Sequence, residues 1–364
     1  MNIDFANLTK AFKEHEEEFK RVSLEVMSSA HYILGKETEE FEKGLAEFTG
    51  NTYALGCSSG TDALLLAMMA MGLKPGDEVI TTPFTFIATA ETIACLGARP
   101  VFVDIDEETY NIDVGKIEQA ITKHTKAIMP VSLYGQMSDM DEINGIAEKY
   151  GLAVIEDAAQ SFGATYKGKR SCNVSTFGCT SFFPAKPLGC FGDGGAIFAS
   201  NEEDYQKIKA MRVHGQVKRY THHYIGMGGR LDNLQAAILN VKLKTYEKDI
   251  ERRQKVAESY SKKIDDKIIK PFVKEDRTSV WAQYTIRVQE RDRIQQELQK
   301  HGIPTAVHYP IPMHLQKCFD YLGYKKGDFP ISEKCAEEVM SLPMNPYLEN
   351  TEVEYITSKL NTLL

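Results

Sequence analysis

The sequence predicts an α/β protein built on a parallel or mixed sheet with helices covering both faces. Three observations carry that reading. From Tyr53 onward, short apolar runs (Val79-Ile80, Pro100–Val103, Ala127–Val131, Leu152–Ile155) alternate with stretches of helical spacing such as Ala63–Met71 and Ala88–Leu96. The strand runs are apolar at nearly every position, the pattern of strands buried on both faces. Turn residues separate the units, at Lys74-Pro75-Gly76-Asp77 and Leu96-Gly97-Ala98.

Around this alternation the other elements follow in order. The first 34 residues read as a helical arm, charged from Lys13 to Arg21, that packs on the main body or on a partner subunit. From Leu231 to about Tyr260 the pattern is one long charged helix, apolar at Leu234, Ile238, Leu239, Val241 and Leu243, bridging two domains. The remainder mixes short strands, two proline turns (Tyr309-Pro310-Ile311-Pro312 and Leu342-Pro343-Met344) and a final helix, as in a smaller α+β domain. The expected division is residues 1–245 and 246–364.

Composition narrows the function. At 364 residues with 43% hydrophobic and 26% charged side chains, the chain is an ordinary globular protein. A net charge of −8 argues against nucleic acid or an anionic membrane as partner, so an anionic substrate needs a local cationic pocket. No apolar run reaches the roughly 20 residues that span a bilayer, and the acidic N-terminus does not read as a signal peptide. The seven cysteines are scattered and never spaced C-x-x-C, which reads as reduced thiols in a cytoplasmic protein, without a zinc site.

The most informative segment is Ser171–Gly192, in which Lys186 and no carboxylate accompanies a mainly small and apolar set after Arg170. Pro184 and Pro187 bracket the lysine, and a residue preceding proline is pushed out of the α region. Lys186 is therefore expected in an extended, buried turn. There a desolvated amine has a lowered pKa and can serve in Schiff-base chemistry. The alternative is a stem packed on apolar neighbours with the ammonium in water.

Three other segments fit around it. Leu152–Gln160 ends a buried strand in Glu156 and Asp157, where ligands bind in open α/β sheets, and a carboxylate there can keep a pyridine nitrogen protonated. A helix cap is the plainer role. Cys57–Asp62 enters a helix through small hydroxyl residues and glycine, whose free N–H groups can cradle a phosphate or simply cap the helix. Phe86, in Pro83-Phe84-Thr85-Phe86 after a strand, can stack on a planar ring or be plain core. There is neither a Walker loop nor a G-x-G-x-x-G after a strand, which disfavours a nicotinamide dehydrogenase. Gly192-Asp193-Gly194-Gly195 reads as a tight turn beside the lysine. A phosphate cradle, a stacking aromatic, a strand-end acid and an isolated lysine, in that order, suit pyridoxal phosphate.

Along nearly its whole length the chain resembles the DegT-type pyridoxal-phosphate sugar aminotransferases of fold type I. The resemblance runs through YILG, SSGTDAL, GDEVITTPFTF, VSLYGQ, EDAAQSFGA, SFFPAKPLGCFGDGGA, RLDNLQAAIL, AVHYPIP and MSLPMNPYL. It implies a mostly parallel seven-stranded sheet with a smaller C-terminal α+β domain, and pyridoxal 5'-phosphate as cofactor, passing through pyridoxamine phosphate. It implies Lys186 as the cofactor-linked lysine and proton shuttle, and Asp157 on the pyridine nitrogen. Gln160 would lie near the ring hydroxyl, Phe86 on the ring, and Gly60, Thr61 and Ser181 on the phosphate. Relatives that dehydrate or deoxygenate sugars carry histidine in place of this lysine, so Lys186 implies transamination. It also implies L-glutamate as amino donor and a homodimer with shared active sites.

Within the family, VSLYGQ, SFGATYKGKRSCN, SFFPAKPLGC and PTAVHYPIP are most like enzymes of UDP-linked 3-keto-2-acetamido hexuronic acids, which supply amino sugars for O-antigen and related glycans. His308, Tyr309 and His314 would then meet the sugar nucleotide, with Arg230 available to an anionic group. No third ligand accompanies His308 and His314, so no metal is expected. An aminotransferase of a 4-keto-6-deoxy sugar nucleotide, or a non-catalytic regulator on the same fold, are the other readings. One departure stands out: many relatives carry asparagine, reaching the partner's cofactor phosphate, where this sequence has Gly228.

Overall fold

The computed structural model describes residues 3–364. Its centre is a seven-stranded sheet of β1 (Tyr53–Cys57), β2 (Glu78–Thr81), β3 (Arg99–Phe102), β4 (Thr125–Ile128), β5 (Ala153–Asp157), β6 (Phe177–Ser181) and β7 (Gly195–Ala199). The spatial order is β1-β7-β6-β5-β4-β2-β3. All neighbours are parallel except at β7, which runs antiparallel to both β1 and β6. Every residue of β7, and four of five in β1, β5 and β6, is buried. That is why the strand runs lack alternation: helices cover both faces.

The turn predicted at Gly192–Gly195 opens β7, and Gly195 is required there. A Cβ on it would lie 2.4 Å from the Ser59 carbonyl carbon and 2.7 Å from the Gly60 nitrogen. Strand and helix entrance thus meet backbone to backbone. The helix α1 (Gly60–Ala70) begins with Ser59 in extended conformation, its hydroxyl accepting the Asp62 N–H at 3.0 Å. It buries Ala63, Leu64, Leu66, Ala67 and Met68 against the sheet.

The arm is two helices, Leu8–Glu14 and Glu16–Ser29, and it lies on the main body. Phe19 packs with Ile238 and Val241, flanked by Phe12 and Val22. The long helix expected from Leu231 to about Tyr260 is instead two, Asn233–Leu243 and Tyr246–Lys263. Thr245 breaks it: its N–H and hydroxyl both donate to the Lys242 carbonyl, at 3.1 and 3.3 Å, and its own φ of −113° leaves the helical well.

A second core gathers Val256, Tyr260, Tyr284, Ile286, Met340, Leu342 and Ile356. It is organised by the antiparallel pair β8 (Tyr284–Arg287) and β9 (Val339–Leu342). Ile3 joins this core, its N–H donating to the Gly302 carbonyl at 3.1 Å, and the Asn345 side chain donates to the carbonyls of Asp4 and Phe5 at 3.3 Å. Among the described residues no helix is long and apolar enough to cross a membrane, and all seven cysteines are free thiols.

Candidate active site

Asp157 ends β5 at the C-terminal edge of the sheet. Burial pushes its carboxyl pKa up, while the Thr89 hydroxyl (2.8 Å), the Ala159 N–H (3.2 Å) and the nearby Lys186 ammonium pull it back. Glu156 points to the opposite side of the strand, fully buried. It accepts the Cys172 N–H at 2.7 Å and the Ser132 hydroxyl at 3.3 Å, and burial raises its pKa to about 7. Of the two acids predicted at this strand end, Asp157 alone is in the site.

Lys186 occupies a turn between its two prolines, its N–H donating to the Phe183 carbonyl at 2.8 Å. Burial lowers its pKa and the Asp157 carboxylate opposes that. The lysine is thus desolvated beside the acid, as the sequence predicts.

The loop 306–309 closes over the pair. Gln160 is clamped, its side-chain carbonyl accepting the Tyr134 N–H at 2.8 Å and its amide donating to the Tyr309 hydroxyl at 3.1 Å. The Tyr309 ring lies 6.0 Å from that of Phe86, which remains half exposed (54%), and the Asp157 charge acts on its phenol. His308 hydrogen-bonds the Ser341 hydroxyl through Nδ1 at 2.9 Å. Burial first, and the Lys186 ammonium second, lower its pKa to about 4. It is therefore neutral at physiological pH.

Gly60 and Thr61 form the first turn of α1, where backbone N–H groups have no intrahelical partner. A Cβ on Gly60 would sit 2.7 Å from the Ser181 Cβ, so only glycine brings the helix entrance against the end of β6. Two free amides, a hydroxyl at Ser181 and a helix N-terminus suit a phosphate monoester. Together with a desolvated lysine and a buried carboxylate, this donor set fits pyridoxal phosphate.

One predicted residue stands apart, and another borders the strand that leads into the phosphate cradle. His314 is withdrawn from the set: its side chain is 0% exposed, with Nε2 2.9 Å from Glu333 Oε1 and its ring against Phe329. It braces the 313–333 segment. Arg230 pairs in register with Cys57 at the end of β1 and lines a cavity of about 510 Å³ with Val213, His214, Gln216, Tyr220 and His222. A Cβ at Gly228 would stand 3.3 Å from the His214 imidazole and 3.7 Å from an Arg230 guanidinium nitrogen. A polar cavity of about 370 Å³, lined by Asn51, Tyr53, Asn144, Asn173 and Thr176, lies at the opposite end of the strands, away from the site. Among the described residues no cluster of three or more His, Cys, Asp or Glu could hold a metal.

Sequence reading missed Thr89, Tyr134 and Ser341. For Thr89 a signal existed: Thr85 and Thr89, four apart in an otherwise apolar stretch, are both buried and 2.9 Å apart. Tyr134 and Ser341 reach the site through tertiary contacts, and nothing local marks them.

Comparison with known proteins shows what the chain is similar to. A Pseudomonas aeruginosa protein named UDP-2-acetamido-2-deoxy-3-oxo-D-glucuronate aminotransferase is 54% identical over 336 residues, covering 92% of this chain and 93% of its own. A Geobacillus stearothermophilus protein named pleiotropic regulatory protein is 45% identical over 364 residues, covering 99% and 98%. Among solved structures, S. venezuelae DesV in complex with a ketimine intermediate superposes with a TM-score of 0.97 at 36% identity, covering 100% of this chain and 98% of that one. Residues 13–361 match the family model, and the chain belongs to the DegT/DnrJ/EryC1/StrS aminotransferase family.

Proposed function

We propose that this aminotransferase moves an amino group from L-glutamate to a UDP-linked keto sugar, UDP-2-acetamido-2-deoxy-3-oxo-hexuronic acid, giving the 3-amino sugar for O-antigen or related surface-glycan synthesis in the cytoplasm. The observation that carries the reaction type is Lys186: a desolvated lysine beside a buried aspartate at the sheet edge. The P. aeruginosa relative supports the substrate. The regulatory name of the G. stearothermophilus relative does not displace this reading, because the lysine and its acid are both in place.

The cofactor, when bound, supplies an electron sink for breaking the C–H bond of the donor. The residues of this chain do the rest. Gly60, Thr61 and Ser181 hold the phosphate, Phe86 covers the ring, and Gln160 stands at the ring hydroxyl. Asp157 keeps the pyridine nitrogen protonated. Lys186, whose lowered pKa leaves a larger share of free amine, takes the α-proton from the donor and returns a proton to the sugar carbon, a general acid–base role worth 10²–10⁴-fold. His308 and Tyr309 meet the sugar nucleotide and Arg230 its anionic part. Residues 1–245 form the cofactor-binding domain and residues 246–364 the smaller one, with Ile3 crossing to the latter. The exposed apolar side chains Tyr32, Ile33, Phe183 and Phe191 support a homodimer.

The absorbance of the protein with pyridoxal phosphate, before and after L-glutamate, tests the first half. Loss of the yellow band to a near-ultraviolet one is expected, followed by its return on adding the UDP-3-keto hexuronate. A yellow band unmoved by glutamate contradicts the donor; no yellow band contradicts the cofactor. In Lys186→Ala the turnover falls by at least about 10² while the circular dichroism is unchanged.

A further inference from the structure

Tyr134 ties two distant segments to one another. Its φ of 58° lies in the left-handed region that residues with a side chain rarely adopt. The buried Tyr134 ring packs edge-on to Tyr110 at 5.3 Å, and its hydroxyl donates to the His308 carbonyl. So held, its backbone N–H meets the Gln160 side chain at 2.8 Å, and that side chain meets the Tyr309 hydroxyl at 3.1 Å.

The first member of this relay fixes its direction. A backbone N–H can only donate, so the Gln160 atom facing Tyr134 is the carbonyl oxygen and the atom facing Tyr309 is the amide nitrogen. An amide nitrogen in turn can only donate. The Tyr309 oxygen therefore accepts, and its own hydrogen is left over; among the described residues that hydrogen has no acceptor. Tyr309 packs against the cluster of Phe84, Val131, Leu133 and Cys335, with the Phe86 ring 6.0 Å away, so the phenol is held between Phe86 and Gln160. Burial and the Asp157 charge both keep it protonated. The same negative charge repels a carboxylate from this point, and the acceptor that suits it is a neutral carbonyl oxygen.

We propose that Tyr309 is a further catalytic residue for the steps that make or break a carbonyl: its hydroxyl donates a hydrogen bond to the keto oxygen of the nucleotide sugar, and Tyr134 and Gln160 are the positioning residues that aim it. The bond strengthens as the carbonyl is attacked and its oxygen gains charge, and no proton has to leave the phenol. Run in reverse, the keto oxygen of 2-oxoglutarate forms against the same donor. This rests on the placement of Tyr309 against the sugar and of Gln160 at the ring hydroxyl given above. It leaves the carboxylate of the sugar to other groups, Arg230 among them.

Tyr309→Phe in the holoenzyme is the test. The return of the yellow band when the UDP-3-keto hexuronate meets the pyridoxamine phosphate form should slow about 10²-fold, and release of 2-oxoglutarate should slow with it. Loss of deuterium from the Cα of labelled glutamate needs only proton transfer by Lys186, and it should stay within about twofold of the parent. Equal slowing of label loss and of the carbonyl steps would mean a merely structural role and overturn the proposal, as would an unchanged rate of sugar amination. Gln160→Glu is a second check, because a carboxylate still accepts from Tyr134 but takes the Tyr309 hydrogen as well. It should slow the carbonyl steps to a similar extent, and adding Tyr309→Phe to it should cost no more than about twofold further. Losses that multiply contradict the relay. A parent enzyme that aminates no nucleotide-linked keto sugar refutes the substrate reading and this inference with it; an active parent with an unaffected Tyr309→Phe refutes this inference alone.

Discussion

Thr89 Oγ1 donates to Asp157 Oδ2 at 2.8 Å, from the inner face of a helix to the last residue of a central strand. This bond counters the upward push that burial gives the Asp157 pKa, and it favours the charged carboxylate a pyridinium needs. Thr89→Val removes the donor and keeps the shape. The Asp157 pKa then rises further, and the glutamate half-reaction is expected to slow about tenfold at neutral pH, with the loss growing as pH falls. Stopped-flow rates between about pH 6 and pH 9 check it; a uniform loss at every pH would contradict it.

Glu156 carries a stability cost with a defined pH window. Its folded pKa of about 7 lies above the ordinary 4.5, so the folded state holds a proton the unfolded chain has released. Stability from this group is full below about pH 4.5, is lost as pH rises to about 7, and stays lost above. Glu156→Gln never ionises and still accepts the Cys172 N–H. It is expected to leave the melting temperature unchanged near pH 4.5 and raise it by about 2–5 °C at pH 8, on the order of 1–3 kcal/mol. Thermal melts at the two pH values measure this directly.

Gly60→Ala and Gly145→Ala should have opposite effects. A Cβ on Gly60 overlaps Ser181, and parting α1 from β6 should weaken pyridoxal phosphate binding by about 10–100-fold, read by absorbance titration. Gly145 lies within the helix Met140–Tyr150 with nothing within 4 Å of a Cβ. Alanine there should stabilise by about 0.5–1 kcal/mol in denaturant melts and leave cofactor affinity alone.

The exposed His214 imidazole stands 3.3 Å from where a Cβ at Gly228 would lie, so an asparagine there has to push it aside. Gly228→Asn alone is therefore expected to shift the cofactor Kd by less than about tenfold in either direction. The double variant with His214→Ala, which opens the space, should bind the cofactor about tenfold more tightly than His214→Ala does. Equilibrium titration of the three variants decides it. A single Gly228→Asn that tightens binding strongly would show that His214 is no obstacle.

What the sequence disclosed follows the range of the forces involved. Strands buried on both faces, the glycine at a helix entrance and a lysine between prolines are locally dictated, and β5, Gly60 and Lys186 stand where the pattern puts them. The break at Thr245 turns on one side chain bonding its own backbone, which periodicity does not register. His314 failed for another reason. A histidine near a proline turn reads the same whether it meets substrate or a buried Glu333, and that carboxylate lies 19 residues downstream. The contacts that Tyr134 and Ser341 make with His308 join distant segments, each unremarkable alone.

The bonds from Asn345 to the carbonyls of Asp4 and Phe5 span 341 and 340 positions. During synthesis, Asp4 and Phe5 wait for the 341 and 340 positions that separate them from Asn345 before their partner exists. Closing so long a loop in a flexible chain costs on the order of 5 kcal/mol, whereas the same contact is nearly free once the large sheet has brought the two segments together. The sheet therefore has to assemble first, and seating Ile3 on the second core becomes one of the last events of folding. Until then the apolar patch that receives Ile3 is open, the interval in which a nascent chain most needs protection from its neighbours.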